Sequence, residues 1–263
     1  MHQKALYNAV KTPKLLVLLG LVICLFTACY EKAATSKNVF SYNEATGIAT
    51  LDPAFAKNQS IMWAVHQIYN TLVEIDSNLN IVPSLAKSWE VSEDRQTYRF
   101  HLRTNVYFTN DEAFKGGTGR KLVASDVAYS LGRIIDKTVA SSGAWIFNGR
   151  VDSVMPFVVI NDSTFELRLQ RPFHPIMGIL STQYCSVVPK EVVEKYGKDF
   201  RRHPCGTGPF LLKSWDEGEA MILHKNKNYW ELDSAGVRLP YLDAVKINFF
   251  DNKATEFLQF RQG

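Results

Sequence analysis

The chain has 263 residues, 46% hydrophobic and 12% aromatic, with a formal net charge of +4. That is enough apolar material for one or two folded domains, and it excludes a disordered, collagen-like or repeat-array protein. Lys4, Lys11 and Lys14 carry part of the charge at the N-terminus; the rest is close to balanced, and with no RNA- or DNA-reading motif no nucleic-acid partner is expected.

The first thirty residues read as an export signal. A basic start precedes an apolar run from Leu15 to Phe26, followed by Thr27-Ala28-Cys29. The run is shorter than the roughly 20 residues a spanning helix needs, although an uncleaved membrane anchor is the alternative. Leu25-Phe26-Thr27-Ala28-Cys29 resembles a lipobox, with Phe26 where Leu or Val is usual. Residues 1–29 are therefore expected to be a lipoprotein signal peptide, with Cys29 as the lipidated residue that anchors the chain to the membrane. Residues 30–38 are polar and read as a tether. Only Cys185 and Cys205 remain for the folded part; they form either a disulfide or two buried thiols. Neither has a CxxC partner or a nearby histidine pair, so no metal site is expected.

Residues 40–50 suit a strand, broken at Leu51-Asp52-Pro53-Ala54 because Pro53 lacks a donor and biases Asp52 to extended geometry. Ile61, Ala64, Val65, Ile68 and Leu72 recur at helical spacing. Residues 79–83 read as a turn and short strand. Pro83, Leu85, Ala86 and Trp89 follow as an apolar turn-and-strand unit, with Trp89 expected in a core. From Thr97 to Arg103, Tyr98, Phe100 and Leu102 alternate with Arg99, His101 and Arg103, the pattern of a half-buried strand. A glycine-containing loop over residues 114–120 leads to a helix with Ser125 as its expected N-cap, Asp126 at its positive end, and Val127, Leu131, Ile134 and Ile135 as its buried stripe. Phe165, Leu167 and Leu169 alternate in another strand. Residues 191–196 suit a short helix ended by Gly197. Strands over 220–223 and 245–249 and a helix over 253–262 capped by Asn252 complete the series. Strands and helices mix without strict βα alternation, so the class is α/β or α+β.

Several stretches, taken in order, resemble the family 5 solute-binding proteins of ABC importers. They are Leu51-Asp52-Pro53; Val82-Pro83-Ser84-Leu85-Ala86-Lys87-Ser88-Trp89-Glu90-Val91; Tyr98-Arg99-Phe100-His101-Leu102-Arg103; Ala124-Ser125-Asp126-Val127-Ala128-Tyr129-Ser130; Val188-Pro189-Lys190; Gly206-Thr207-Gly208-Pro209-Phe210; and Asn228-Tyr229-Trp230. Asn110 to Arg120 departs from the family, which has a shorter glycine turn there.

The resemblance implies a type II periplasmic-binding-protein fold, a two-lobed clamp with a subdomain inserted in the first lobe. The first lobe maps to residues 39–74 and 181–263, the inserted subdomain to 75–180, and the second lobe is missing from this sequence. It implies a peptide or other small solute held between lobes, ABC permease subunits as partners, a monomer in the periplasm or at the cell surface, and no cofactor. On the wall that is present, the ligand-binding candidates are the backbone of Thr50, Leu51 and Asp52, with Trp145, Tyr184 and Cys185. The glycine turn Gly206–Gly208 is expected to border the same cleft.

An enzyme is the main competing class. No GxSxG, HExxH or SxxK motif organises the polar residues, and Gly206-Thr207-Gly208 lacks the Lys-Ser/Thr ending of a phosphate loop. His66 and His101 fall on patterned elements and read as structural, so no catalytic residue is assigned. Nickel, haem or an oligosaccharide are competing cargoes, and a sensory protein reusing the fold is a third reading.

Overall fold

The computed structural model describes residues 38–262. The segment expected to be a signal peptide, Cys29 and almost all of the expected tether lie outside the described residues.

Two four-stranded sheets dominate. The first joins β1 (Val39–Asn43), β8 (Phe210–Asp216), β9 (Ala220–Lys225) and β10 (Ala244–Asn248) in the order β1-β10-β9-β8. β1 runs parallel to β10, with Val39 opposite Ala244 and Asn43 opposite Asn248; the other two pairings are antiparallel. The second sheet is antiparallel throughout. It orders β4 (Ala86–Val91), β5 (Thr97–Leu102), β7 (Thr164–Arg168) and β6 (Phe157–Asn161) as β4-β5-β7-β6. A small antiparallel pair, β2 (Val73–Ile75) and β3 (Ile81–Pro83), lies between them in sequence. The helices are α1 (Gln59–Ile68), α2 (Ala124–Ile135), α3 (Ile176–Leu180), α4 (Lys190–Tyr196) and α5 (Lys253–Gln262).

The alternation seen in the sequence shows directly in β5, where Tyr98, Phe100 and Leu102 are buried. Phe100 faces Phe165 on β7, their ring centres 6.2 Å apart. In α2 the stripe of Val127, Leu131 and Ile134 is buried against this sheet, and in α1 Ile61, Ala64, Val65 and Ile68 are buried. Side chains from both sheets belong to one connected apolar core.

Local expectations shift at four places. The first strand stops at Asn43, because the chain turns at Glu44–Gly47, closed by the Gly47 N–H to the Glu44 carbonyl with Gly47 at φ +67°. α1 ends at Ile68, before Leu72. Tyr69 is extended, and the Ile68 carbonyl accepts from the Gly208 N–H at 2.9 Å, a tertiary partner for a helix-end carbonyl. The N-cap of α2 is Val123, not Ser125; the Asp126 carboxylate reaches back to accept the Val123 N–H at 2.9 Å. Trp89 is only partly buried, because β4 is an edge strand.

Cys185 and Cys205 are both free, buried thiols. Cys205 Sγ donates to the Thr109 carbonyl at 3.3 Å.

Candidate functional site

Two single turns of 3-10 helix, remote in sequence, touch each other, Pro53–Phe55 and Gln183–Cys185, and residues 141–143, which lead into a third turn at Ala144–Ile146, are fastened to both. They belong to the three stretches that hold the predicted ligand contacts.

Asp52 starts the first turn. Its Oδ1 accepts the Ala54 N–H at 3.0 Å, and Pro53 fills the first turn position, where no N–H is needed. The same carboxylate is held by both arms of the Arg133 guanidinium on α2, at 3.0 and 2.7 Å. Both side chains are nearly out of water, 8% and 10% exposed. Such a pair is tolerated only when its geometry and remaining hydrogen bonds are good, as they are here.

The second stretch is fastened to the first. Ser141 Oγ donates to the Ala54 carbonyl at 2.5 Å and accepts from the Gly143 N–H at 3.0 Å. Gly143 is in turn pressed against Tyr184, since a Cβ there would lie 2.5 Å from a ring carbon. Ser142 Oγ and Tyr184 Oη are 3.3 Å apart. From the third stretch, Gln183 Nε2 lies 3.2 Å from His66 Nδ1 on α1.

The predicted residues divide accordingly. Trp145 is 55% exposed and Thr50 is partly exposed. Leu51 is fully buried and its N–H donates to the Arg201 carbonyl; the Asp52 N–H donates to Thr50 Oγ1. These two backbone donors are used inside the fold, as buried N–H groups must be. Tyr184 is buried except for its edge, and Cys185, 1% exposed, lies behind the surface. Burial pushes the Cys185 thiol up to about 12, which removes it as a nucleophile near neutral pH. Leu51, Asp52 and Cys185 therefore lie behind the surface, while Trp145, Ser142 and His66 are exposed on it and Gln183 partly so.

Sequence reasoning missed Ser141, Ser142, Gln183 and Arg133, and read His66 as a structural residue. His66 is exposed on α1. Its helical position, one turn from Trp63 on the polar side, was the available signal; nothing in the sequence pairs Arg133 with Asp52, 81 positions away.

Thr50 and Asp52 also border a hollow of about 690 Å³ with Phe55, Tyr129, Arg133 and Arg201. The glycine turn Gly206–Gly208, expected beside them, does not line it. Gly206 and Gly208 instead press on the end of α1: a Cβ at either would come within 2.2 and 2.5 Å of the Ile68 carbonyl group. Their role is close backbone approach, with Thr207 Oγ1 donating to the buried Asn70 at 3.0 Å.

Residues 80–263 match the family described as bacterial extracellular solute-binding proteins, family 5 Middle. The chain belongs to this family. Among its curated relatives within the solute-binding proteins, the probable ABC transporter periplasmic-binding protein SapA of Escherichia coli K12 is 31% identical over 233 residues, covering 82% of this chain and 42% of the relative. The glutathione-binding protein GsiB of E. coli O6:K15:H31 is 28% identical, covering 88% and 41%. Among solved structures, the periplasmic binding protein DppA of Helicobacter pylori in complex with the peptide STSA superposes with a TM-score of 0.76 at 28% identity, covering 86% of this chain and 45% of that one. MoaA of A. tumefaciens in complex with mannopinic acid gives 0.74 at 27%, covering 87% and 44%. The mixed α/β fold is thus that of the periplasmic solute-binding proteins, and the chain spans less than half the length of the relatives it matches.

Proposed function

We propose that this chain supplies one wall of the ligand cleft in the substrate-binding component of an ABC-type importer. Residues 39–74 and 181–263 form its first lobe and residues 75–180 the inserted subdomain. The cargo is a short peptide, held between this wall and a second lobe and passed unaltered to membrane permease subunits. The protein acts as a monomer in the periplasm or at the cell surface, tethered through lipid on Cys29.

The observation that carries this reading is the junction of the three stretches, with the first and third turns in contact, residues 141–143 fastened to both, and Trp145 exposed two residues further on. The exposed or half-exposed groups of these stretches are the Ser142 hydroxyl, the Gln183 amide next to the His66 imidazole, and the Trp145 indole. Those groups suit the amide groups of a peptide main chain and a side chain laid on the indole. A closed cleft would take the ligand out of water on both sides, so this wall by itself binds weakly.

The test is calorimetry with the protein expressed from its complete reading frame, offering a mixed tetrapeptide pool, reduced glutathione and a sugar-derived acid in separate titrations. Saturable binding of tetrapeptides, weakened about tenfold or more in Trp145→Ala, supports the reading. Binding of the sugar acid or glutathione alone replaces the cargo. Release of amino acids from the pool would make the protein a peptidase and end the reading.

A further inference from the structure

A continuous set of contacts runs from α2 to the open side of the wall. Arg133 grips Asp52 with two hydrogen bonds of 3.0 and 2.7 Å. Asp52 fixes the Pro53–Phe55 turn through the Ala54 N–H. The Ala54 carbonyl holds Ser141, Ser141 holds Gly143, and Gly143 abuts the Tyr184 ring. None of these joints is a sheet ladder; beside them the stretches are tied by the Leu51 N–H to the Arg201 carbonyl, by contact between the first and third turns and by the buried side chains of Leu51, Ile146 and Cys185, and the Arg133–Asp52 pair is the charged joint in the set. The guanidinium is itself held in place, with Phe200 5.6 Å below it.

We propose that Arg133, which lies behind the wall, is a positioning residue for ligand binding: through Asp52 it sets where Trp145, Ser142 and Tyr184 stand. A fork is needed for this role. Lysine at 133 would keep the charge but offer one point of attachment in place of two. The affinity part of the inference rests on the function proposed above; the positioning part does not.

Two readouts separate positioning from mere support. The first is the labelling rate of Cys185 and Cys205 by iodoacetamide, resolved by peptide mass mapping. Cys185 ends the Gln183–Cys185 turn, whereas Cys205 is bonded to Thr109 on another segment. Arg133→Met leaves Asp52 buried without its partner and is at risk of unfolding, so the pair Asp52→Asn with Arg133→Met is measured beside it, because neutralising both ends removes the stranded charge. In both variants the Cys185 rate is expected to rise at least about tenfold while the Cys205 rate stays within about twofold, a local opening. Arg133→Lys is expected between these and the parent.

Equal rises at both cysteines mean that Arg133 supports the whole fold, and no rise at Cys185 means that it holds nothing at the wall; either overturns the proposal. The second readout is tetrapeptide-pool affinity, expected to fall about tenfold in the double variant at unchanged melting temperature. Unchanged affinity there also overturns it. If the parent protein binds no peptide, the functional reading fails and the labelling comparison alone decides the positioning.

Discussion

Two buried carboxylates held by arginine show how differently the same chemistry is used in two regions. Asp52 lies among turns, and its partner Arg133 is as buried as it is. Glu166 lies on β7 in the middle of a sheet; its side chain is 4% exposed, but Arg99 and Arg168, which hold it at 2.8 Å from either side, remain 48% and 38% exposed. At Glu166 the backbone is already fixed by ladders on both sides, and the arginines keep a large part of their contact with water. At Asp52 no ladder exists and both charges have left water, so the pair itself sets the geometry. The difference teaches that burial of both partners, rather than the number of contacts, marks an ion pair on which the local backbone depends.

The sharpest way to break this comparison is to remove each carboxylate. Asp52→Ala strands Arg133 and uncaps the turn, and is expected to cost about 3–5 kcal/mol in urea unfolding. Glu166→Ala frees two arginines that can turn to solvent, and about 1 kcal/mol is expected. Equal losses would erase the distinction.

Glycine substitutions probe the close approaches beside these regions. Gly208→Ala meets the Ile68 backbone, which cannot swing aside, and about 1–3 kcal/mol is expected from thermal melts. Gly143→Ala meets a side chain, so a smaller loss of stability is expected, with a displaced Tyr184 seen as a changed near-ultraviolet circular dichroism band.

Acid titration sharpens the sheet side. Burial raises the Glu166 pKa, but the hydrogen bonds and charges of Arg168 and Arg99 outweigh it and hold the carboxyl below its usual range. A carboxylate depressed on folding lends stability that is present above the unfolded value, about 4.3, and is lost as pH falls through the folded one. The melting temperature is therefore expected to drop below pH ~4, and Glu166→Gln to flatten part of that slope. The smallest effect is expected for Trp145→Ala. Its ring is mostly in water, so stability should stay within about 0.5 kcal/mol in the same melts.

The regular elements were legible where one face repeats. α1, α2 and β5 announce themselves because their buried side chains fall at constant spacing. β6 and β8 did not, and in both the register shifts within the strand, between Val159 and Asn161 and between Leu212 and Ser214. A bulge interrupts the period of two that reveals a strand. The helix start at Val123 was misplaced because an acid three residues on can do a cap's work as well as a serine. At the candidate site, the likeness to the family singled out three stretches, and the structure divides their residues by burial. Motif positions such as Leu51 and Asp52 are fixed by packing, whereas Ser141, Ser142 and Arg133 act through long-range hydrogen bonds that carry no local pattern.

The pairing of β1 with β10 has a bearing on how the molecule is made. Asn38 and Asp243 exchange hydrogen bonds across 205 positions, and every rung of that parallel ribbon joins the first of the described strands to a segment near residue 245. The β4-β5-β7-β6 sheet, by contrast, draws only on residues 86–168. As the polypeptide grows, the strands of that sheet are all present while β1 still waits for its partner. Loop closure over so long a span is slow. Until it happens, β1, with Val39 and Phe40, has no strand to pair with. For that interval the nascent chain carries an open, sticky edge at its beginning, where a holding chaperone would have most to protect.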